Sequence, residues 1–251
     1  MIDLTTVLSN FTPISLEAMD HVKLLNRVDT KYVIHENQLI EILATISKYY
    51  NLLVINNISI HPYETLYYDT PDLNLYQMHH NGILNRYKLR FRKYVNSGIS
   101  YFEIKTKTNT NRTIKKRIQV ETITDTLNEP LNQYISDHTP GEYHNYIPTL
   151  NVFFDRLTLV NTKAKERLTF DMNLRYISHG IEKQIEKIVI VEVKQEKHCT
   201  SPFVQLMKAH RQPKNYLSKY CIGVTCLNHG LKRNRFKQKI KALIKLGYDL
   251  R

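Results

Sequence analysis

The chain has no tryptophan, seven glycines, eight prolines and three cysteines in 251 residues. The cysteines (Cys199, Cys221, Cys226) form no Cys-x-x-Cys pair, and their odd number argues against a disulfide framework. They read as small buried hydrophobes of a reducing compartment. A chain of this length buries a core without staples. No run of about 18 apolar residues is present, so no transmembrane helix is expected. The opening MIDLTTVLSNF lacks a basic segment and a long apolar stretch. No signal peptide is therefore expected, and the cytoplasm is the default location. A P-loop is missing, since no Gly-x-x-x-x-Gly-Lys-Ser/Thr occurs. His61, His79, His80 and His198 show no metal-ligand spacing and read as surface or core histidines, with residues 79–82 in a turn.

Positive charge is abundant. There are 36 Lys and Arg against 23 Asp and Glu, a net charge of +13. That balance speaks of partners: nucleic acid, an anionic membrane surface or a small polyanion. More than half of it lies in residues 231–251, where Lys232, Arg233, Arg235, Lys237, Lys239, Lys241, Lys245 and Arg251 face only Asp249. Leu231, Phe236, Ile240, Leu243 and Ile244 give this tail one apolar side, which predicts a basic amphipathic helix. It has three readings: a solvated terminal helix, a contact to acidic lipid or a membrane protein, or a handle on a polyanion.

Along the chain, residues 15–26 and 36–50 carry the helical period. Residues 27–34 alternate like a strand. From 51 onward, segments rich in Ile, Val, Tyr, Thr and Phe are separated by Asn, Gly, Pro and Asp, which are strand and turn signals. Asn96-Ser97-Gly98, Asn161 to Lys165 and Ser178-His179-Gly180 read as turns. Residues 126–149 mix a short helix with loops, and 201–210 and 214–220 read as short helices. No linker divides the chain, so residues 1–230 form one domain followed by the tail 231–251.

The strands share an unusual design. Side chains alternate faces along a strand. Arg86, Lys88, Arg90 and Arg92 therefore share one face, opposite Tyr87, Leu89 and Phe91. The pattern recurs with Glu103, Lys105 and Lys107, with Lys115 and Arg117, and with Arg167, Asp171 and Arg175. It recurs again with Glu192 and Lys194, and with Arg27, Asp29 and Lys31. On a single strand this would be a solvated outer face. Repeated, it predicts an α+β fold: a closed antiparallel β-barrel tunnel of about eight strands, charged inside, with flanking helices on the apolar faces. A cationic lumen repels itself unless it holds a multivalent anion, because Arg forks and Lys ammoniums match phosphate oxygens. The interspersed carboxylates suggest a divalent metal. A nucleic-acid binder would instead expose a basic stripe with stacking aromatics. Tyr67, Tyr68 and Tyr76 read as core before they read as an adenine platform.

The motifs RVDTKY (27–32), YYDTPDLNLYQMHHNG (67–82), RYKLRFRKY (86–94), FEIKTK (102–107), RLTFDMNL (167–174), VEVK (191–194) and LSKYCIG (217–223) occur in this order. Together they resemble the VTC domain, the polyphosphate polymerase domain of the triphosphate tunnel metalloenzyme superfamily, over roughly residues 15–228. The resemblance implies transfer of the ATP γ-phosphate to a growing polyphosphate chain, assisted by Mn2+ or Mg2+. It implies phosphate contacts by Lys31, Arg90, Arg92, Lys105, Lys115, Arg156 and Arg167, with Arg117, Lys194 and Ser218 beside them. It implies a catalytic Lys219 and a metal on Glu192, joined by Glu103 or Asp171. Where the wider superfamily often carries Glu-x-Glu-x-Lys, this chain has Arg27, Asp29 and Lys31, which fits the VTC branch. The expected partners are ATP and polyphosphate. The alternatives are a tunnel hydrolase of triphosphate or polyphosphate, and a non-catalytic polyphosphate-binding module.

Overall fold

The computed structural model describes residues 3–20, 28–110, 113–139, 145–228 and 230–246. Arg27 and residues 21–26 of the expected first helix lie outside them. In chain order the elements are α1 (Thr5–Leu8), β1 (Thr12–Ile14), α2 (Leu16–Asp20), β2 (Val28–His35), α3 (Leu39–Ile46), β3 (Asn51–Leu53), β4 (Ile60–Asp69) and α4 (Asn74–Asn81). There follow β5 (Arg86–Tyr94), β6 (Ser100–Lys107), β7 (Thr113–Val120), α5 (Glu129–His138), β8 (Ile147–Asn161), β9 (Glu166–Ser178), β10 (Ile181–Ile185) and β11 (Ile188–Gln195). The C-terminal part contributes α6 (Pro202–Ala209), α7 (Lys219–Leu227) and α8 (Lys237–Lys245).

The main sheet runs β2-β11-β9-β8-β4-β5-β6-β7, antiparallel at every step. Apolar side chains of its outer face bury against helices in two clusters. Tyr32, Ile34, Phe170, Val191 and Val193 pack with α3 and with Phe203 and Met207 of α6. Leu66, Tyr68, Leu89, Phe91, Phe102 and Ile104 pack with Leu131 and Ile135 of α5. The inner face is divided along its length: one end is apolar, with Leu150, Val152, Phe154, Leu174, Tyr176, Ile188 and Ile190 covered by α7 and α8.

The expected closed barrel is not formed. The end strands β2 and β7 do not pair with each other. β7 is solvated on both faces: Ile114 is 50% and Ile118 41% exposed, so its second apolar face finds no layer to pack on. The outer edge of β2 is met by a loop instead, where Asn215 N–H donates to the Lys31 carbonyl at 2.7 Å. The sheet nonetheless curls, because Lys31 of β2 and Lys88 of β5 reach adjacent residues, Leu217 and Ser218. The result is a trough lined by charge.

Three other expectations shift. Residues 214–218 are irregular, and the helix starts at Lys219, where the Ser218 side chain accepts from Cys221 N–H and caps it. Residues 79–81 end the helix α4, and Gly82, at φ 74°, supplies the left-handed C-cap. On β9, Asn173 at φ 52° sits where the β8–β9 register slips, a bulge that flips the alternation. Arg175 is thereby turned out of the inner face towards Glu182, and Leu174 and Tyr176 turn in.

Gly223 lets α7 lie close on the sheet. A Cβ there would collide with Tyr176 Cδ1 and sit 2.6 Å from Leu150 Cδ2. Gly223→Ala should therefore destabilise the protein by about 1–3 kcal/mol, an overpacking cost. Chemical denaturation checks this, and an unchanged midpoint would show that the contact yields freely.

Candidate functional site

The strand register carries the inward charges into one continuous line. Asp29 and Lys31 of β2 stand opposite Lys194 and Glu192 of β11. Glu192 and Lys194 stand opposite Thr169 and Arg167 of β9. Asp171 faces Arg156 of β8. Tyr67 and Thr65 of β4 face Arg90 and Arg92 of β5, whose Arg90 and Lys88 meet Glu103 and Lys105 of β6. Lys115 and Arg117 of β7 complete the row. Among the described residues, those expected to share this face from alternation alone do so, apart from Arg175.

Three carboxylates organise the cations. Glu103 is fully buried; its Oε2 accepts from Arg90 Nε at 2.8 Å and Nη2 at 2.6 Å, and its Oε1 accepts from Lys115 Nζ at 3.0 Å. Asp171, 1% exposed, accepts from Arg156 Nε at 2.6 Å and Nη2 at 2.8 Å and is also bonded by Lys219 Nζ. Glu192, 15% exposed, pairs with Lys194 at 2.8 Å and Lys31 at 3.8 Å. Burial alone would raise these three acids. The cations outweigh it: Arg90, Arg92 and Lys115 hold Glu103, Arg156 and Lys219 hold Asp171, and Lys194, Lys31 and Lys105 hold Glu192, all below the usual carboxylate range. All three are ionised at neutral pH and fix the side chains that point past them.

Aromatic rings floor the site. The Arg156 guanidinium lies 4.8 Å from the Tyr63 ring centre and 5.1 Å from that of Phe154, and Lys219 lies 4.7 Å from Phe154. Arg90 Nη1 donates to the Tyr67 hydroxyl at 3.1 Å. Burial pushes the Tyr67 phenol up, but Arg90, Arg92 and Lys88 pull it down to about 8. Sequence reasoning missed Tyr67 as part of the site because its partner Arg90 lies across α4, and only the β4–β5 register joins them. It also left Lys88 without a role, although alternation had placed it on this face. Arg167 lies beside Lys194 in register, with Nη1 3.9 Å from Met19 Sδ. Arg117 lies towards the solvated strand edge over the Tyr101 ring at 4.3 Å.

The site is thus a lined trough of arginines and lysines, with α7 delivering Ser218 and Lys219 from the apolar end. Residues 26–228 match the model of the VTC domain. This chain belongs to the VTC domain family. No curated protein matches the chain in sequence. Solved structures similar to this VTC domain include a conserved hypothetical protein from Pyrococcus furiosus, at 12% identity and TM-score 0.41, over 73% of this chain and 89% of that one. A protein from Pyrococcus horikoshii OT3 aligns at 13% and 0.38, over 72% and 88%. A Hippeastrum protein described as an adenylyl cyclase with a dominant triphosphatase activity aligns at 11% and 0.43, over 79% and 96%. These likenesses are too distant to bear on function. No described helix of the VTC domain is long and apolar enough to cross a membrane.

The divalent metal that the family resemblance implies needs oxygen ligands. Among the described residues, no three His, Cys, Asp or Glu side chains come together. Glu103 and Asp171 are buried with both oxygens engaged by cations. Glu192 is the more open carboxylate of the three. A divalent metal in the VTC domain would be held through that one carboxylate, in exchange for its contacts with Lys31 and Lys194.

Two lysines set a pH dependence. Burial lowers Lys105 to about 7 despite Glu192, and lowers Lys194 to about 8 despite its pair with Glu192. Their folded values lie below the free-lysine value, so between about 7 and that value the unfolded chain binds more protons, and the ligand-free protein gains stability as pH rises. A bound polyanion favours the charged form and draws protons in. Tripolyphosphate affinity should therefore fall as pH rises from 7 to 9, with net proton uptake on binding at pH 8. Titration calorimetry in buffers of different ionisation heat checks both; a flat affinity with no proton uptake would contradict them.

Proposed function

We propose that this VTC domain transfers the γ-phosphoryl group of ATP to the end of an inorganic polyphosphate chain, releasing ADP. The observation that supports this best is the placing of Arg90 and Arg156, each oriented by two hydrogen bonds to a buried carboxylate, on one inner face with Lys105 and Lys194, against Lys219 of α7. Phosphoryl transfer asks a protein mostly for positioning and charge neutralisation. Guanidiniums already held by Glu103 and Asp171 lose little freedom on binding and keep N–H groups for phosphate oxygens. Arg90, Arg92, Arg156 and Arg167 would grip the triphosphate, and Lys31, Lys105, Lys115, Arg117, Lys194 and Ser218 would extend the contact. Lys219, drawn against Asp171, would donate to the moving phosphoryl group. As it transfers, the bond from the γ-phosphorus to the bridging oxygen breaks with its electron pair going to ADP, while a terminal oxygen of the chain bonds to the phosphorus. Glu192 would hold Mn2+ or Mg2+ together with phosphate oxygens, and the ion would offset their charge. Glu103, being spent on Arg90 and Lys115, would act on the metal only through those partners.

A second reading, hydrolysis of triphosphate or polyphosphate, is favoured by one observation: the sheet is open between β2 and β7, which admits water as the acceptor. Incubating the full chain with ATP and Mn2+, then resolving long polyphosphate on a gel and measuring free phosphate, separates the two. Long chains support the transferase, phosphate alone supports the hydrolase, and neither product supports a binding module.

A further inference from the structure

Outside the ion-paired part of the trough, three lysines from three elements converge on three consecutive residues. Lys239 of α8 donates to the Tyr216 carbonyl at 3.0 Å, Lys31 of β2 to the Leu217 carbonyl at 3.0 Å, and Lys88 of β5 to the Ser218 hydroxyl at 2.6 Å. Arg86, the preceding inward position on β5, donates from Nη1 to the Ile83 carbonyl at 2.6 Å and from Nε to His79 Nδ1 at 3.3 Å. Burial, then Lys88, Arg86, Lys239 and Lys31, push the His79 imidazole down to about 2, so it stays neutral and accepts from Arg86. Those four cations therefore share one neighbourhood.

Their partners differ in kind from those of the central arginines. Among the described residues Arg86, Lys88 and Lys239 form no ion pair, and Lys31 reaches Glu192 only at 3.8 Å. Arg90, Arg156, Lys194 and Lys219 each have a carboxylate. Like charges gathered without counter-charge repel, and carbonyl or hydroxyl partners satisfy their hydrogen bonds without cancelling the charge. A multivalent anion does both. The inward cations of β5 run from Arg86 to Arg92, about 20 Å at strand rise, which is longer than a triphosphate.

We propose that Arg86, Lys88 and Lys239, grouped around His79, form a second phosphate subsite that holds units of an inorganic polyphosphate chain beyond the triphosphate at the central arginines. This rests on the phosphotransferase reading and deepens it. Lys239 comes from α8, outside the matched residues 26–228, so the subsite is completed by a helix that the family match does not include. The helix is held in place by Phe236 and Leu243, both buried in the cluster with α7.

The test uses the full chain, with tripolyphosphate, ATP and a long linear polyphosphate titrated separately at fixed salt. Lys239→Gln should weaken the long chain about tenfold, the value of one charge-assisted contact, and leave tripolyphosphate and ATP within about twofold. Arg86→Gln should give the same pattern, and unchanged denaturation midpoints would show both variants folded. Unchanged long-chain affinity in both variants overturns the subsite. Equal weakening of all three ligands also overturns it, since the cations would then belong to the triphosphate site. If the wild type binds none of the three, the phosphotransferase reading itself falls and the subsite with it.

Discussion

Lys219→Met should lower the rate of phosphoryl transfer about 100- to 1000-fold, the loss expected for one preorganised donor at a charge-developing oxygen. The KM for ATP should change only a few-fold. Lys219 is the first residue of α7 and is bonded to Asp171, which Arg156 also holds by two bonds. Methionine keeps an unbranched apolar stem over Phe154 and removes the ammonium, with its charge and its hydrogen bond to Asp171. Asp171 then retains its arginine, so the denaturation midpoint should move little. Burial lowers the Lys219 ammonium, with Asp171 opposing that shift, so the group is not a heavily solvated surface charge. A variant that loses KM and keeps kcat would make Lys219 a binding group only. One that loses both through unfolding is identified by its midpoint. Steady-state kinetics on the product identified above make the measurement.

Arg90→Ala should cost about 3 kcal/mol of stability and at least tenfold in tripolyphosphate affinity, because truncation leaves the buried Glu103 carboxylate with Lys115 as its one hydrogen-bonded cation. Glu103 is 0% exposed, and the remaining Lys115 is itself 36% exposed. The structural and functional parts separate in the double variant Arg90→Ala/Glu103→Ala. Removing both charges should recover most of the stability and none of the affinity. A double variant that recovers affinity would mean Arg90 serves only to neutralise Glu103. Urea unfolding and calorimetric titration on the same preparations give both numbers.

The charged inner face was readable from alternation alone, because a strand places every second side chain together whatever its neighbours are. Arg86, Lys88, Arg90 and Arg92 needed no partner strand to be assigned. Two things escaped that logic. The bulge at Asn173 inverts the alternation midway along β9, and no residue before it signals the flip, so Arg175 was placed with Asp171. Closure was the other. Whether β2 meets β7 depends on sheet curvature, and the exposed Ile114 and Ile118 resemble the packed isoleucines of other strands when read as a string. The ion-pair geometry was equally hidden. Glu103 and Glu192 look alike in sequence as metal ligands, yet register sets the first between Arg90 and Arg117, with Lys115 bonding it from the diagonal position, and leaves the second more open. The family motifs located the residues because they mark the same faces. They did not indicate α8, whose Lys239 joins the trough through a contact made by folding alone.

The most direct measurement is a calorimetric titration of tripolyphosphate into the full chain across a salt series, with sulfate at equal ionic strength as the control. The expected result is a single saturable site of micromolar affinity or tighter, weakening as salt screens the charges and far stronger than sulfate. Binding no stronger than that of sulfate would contradict a trough built for chains of phosphate.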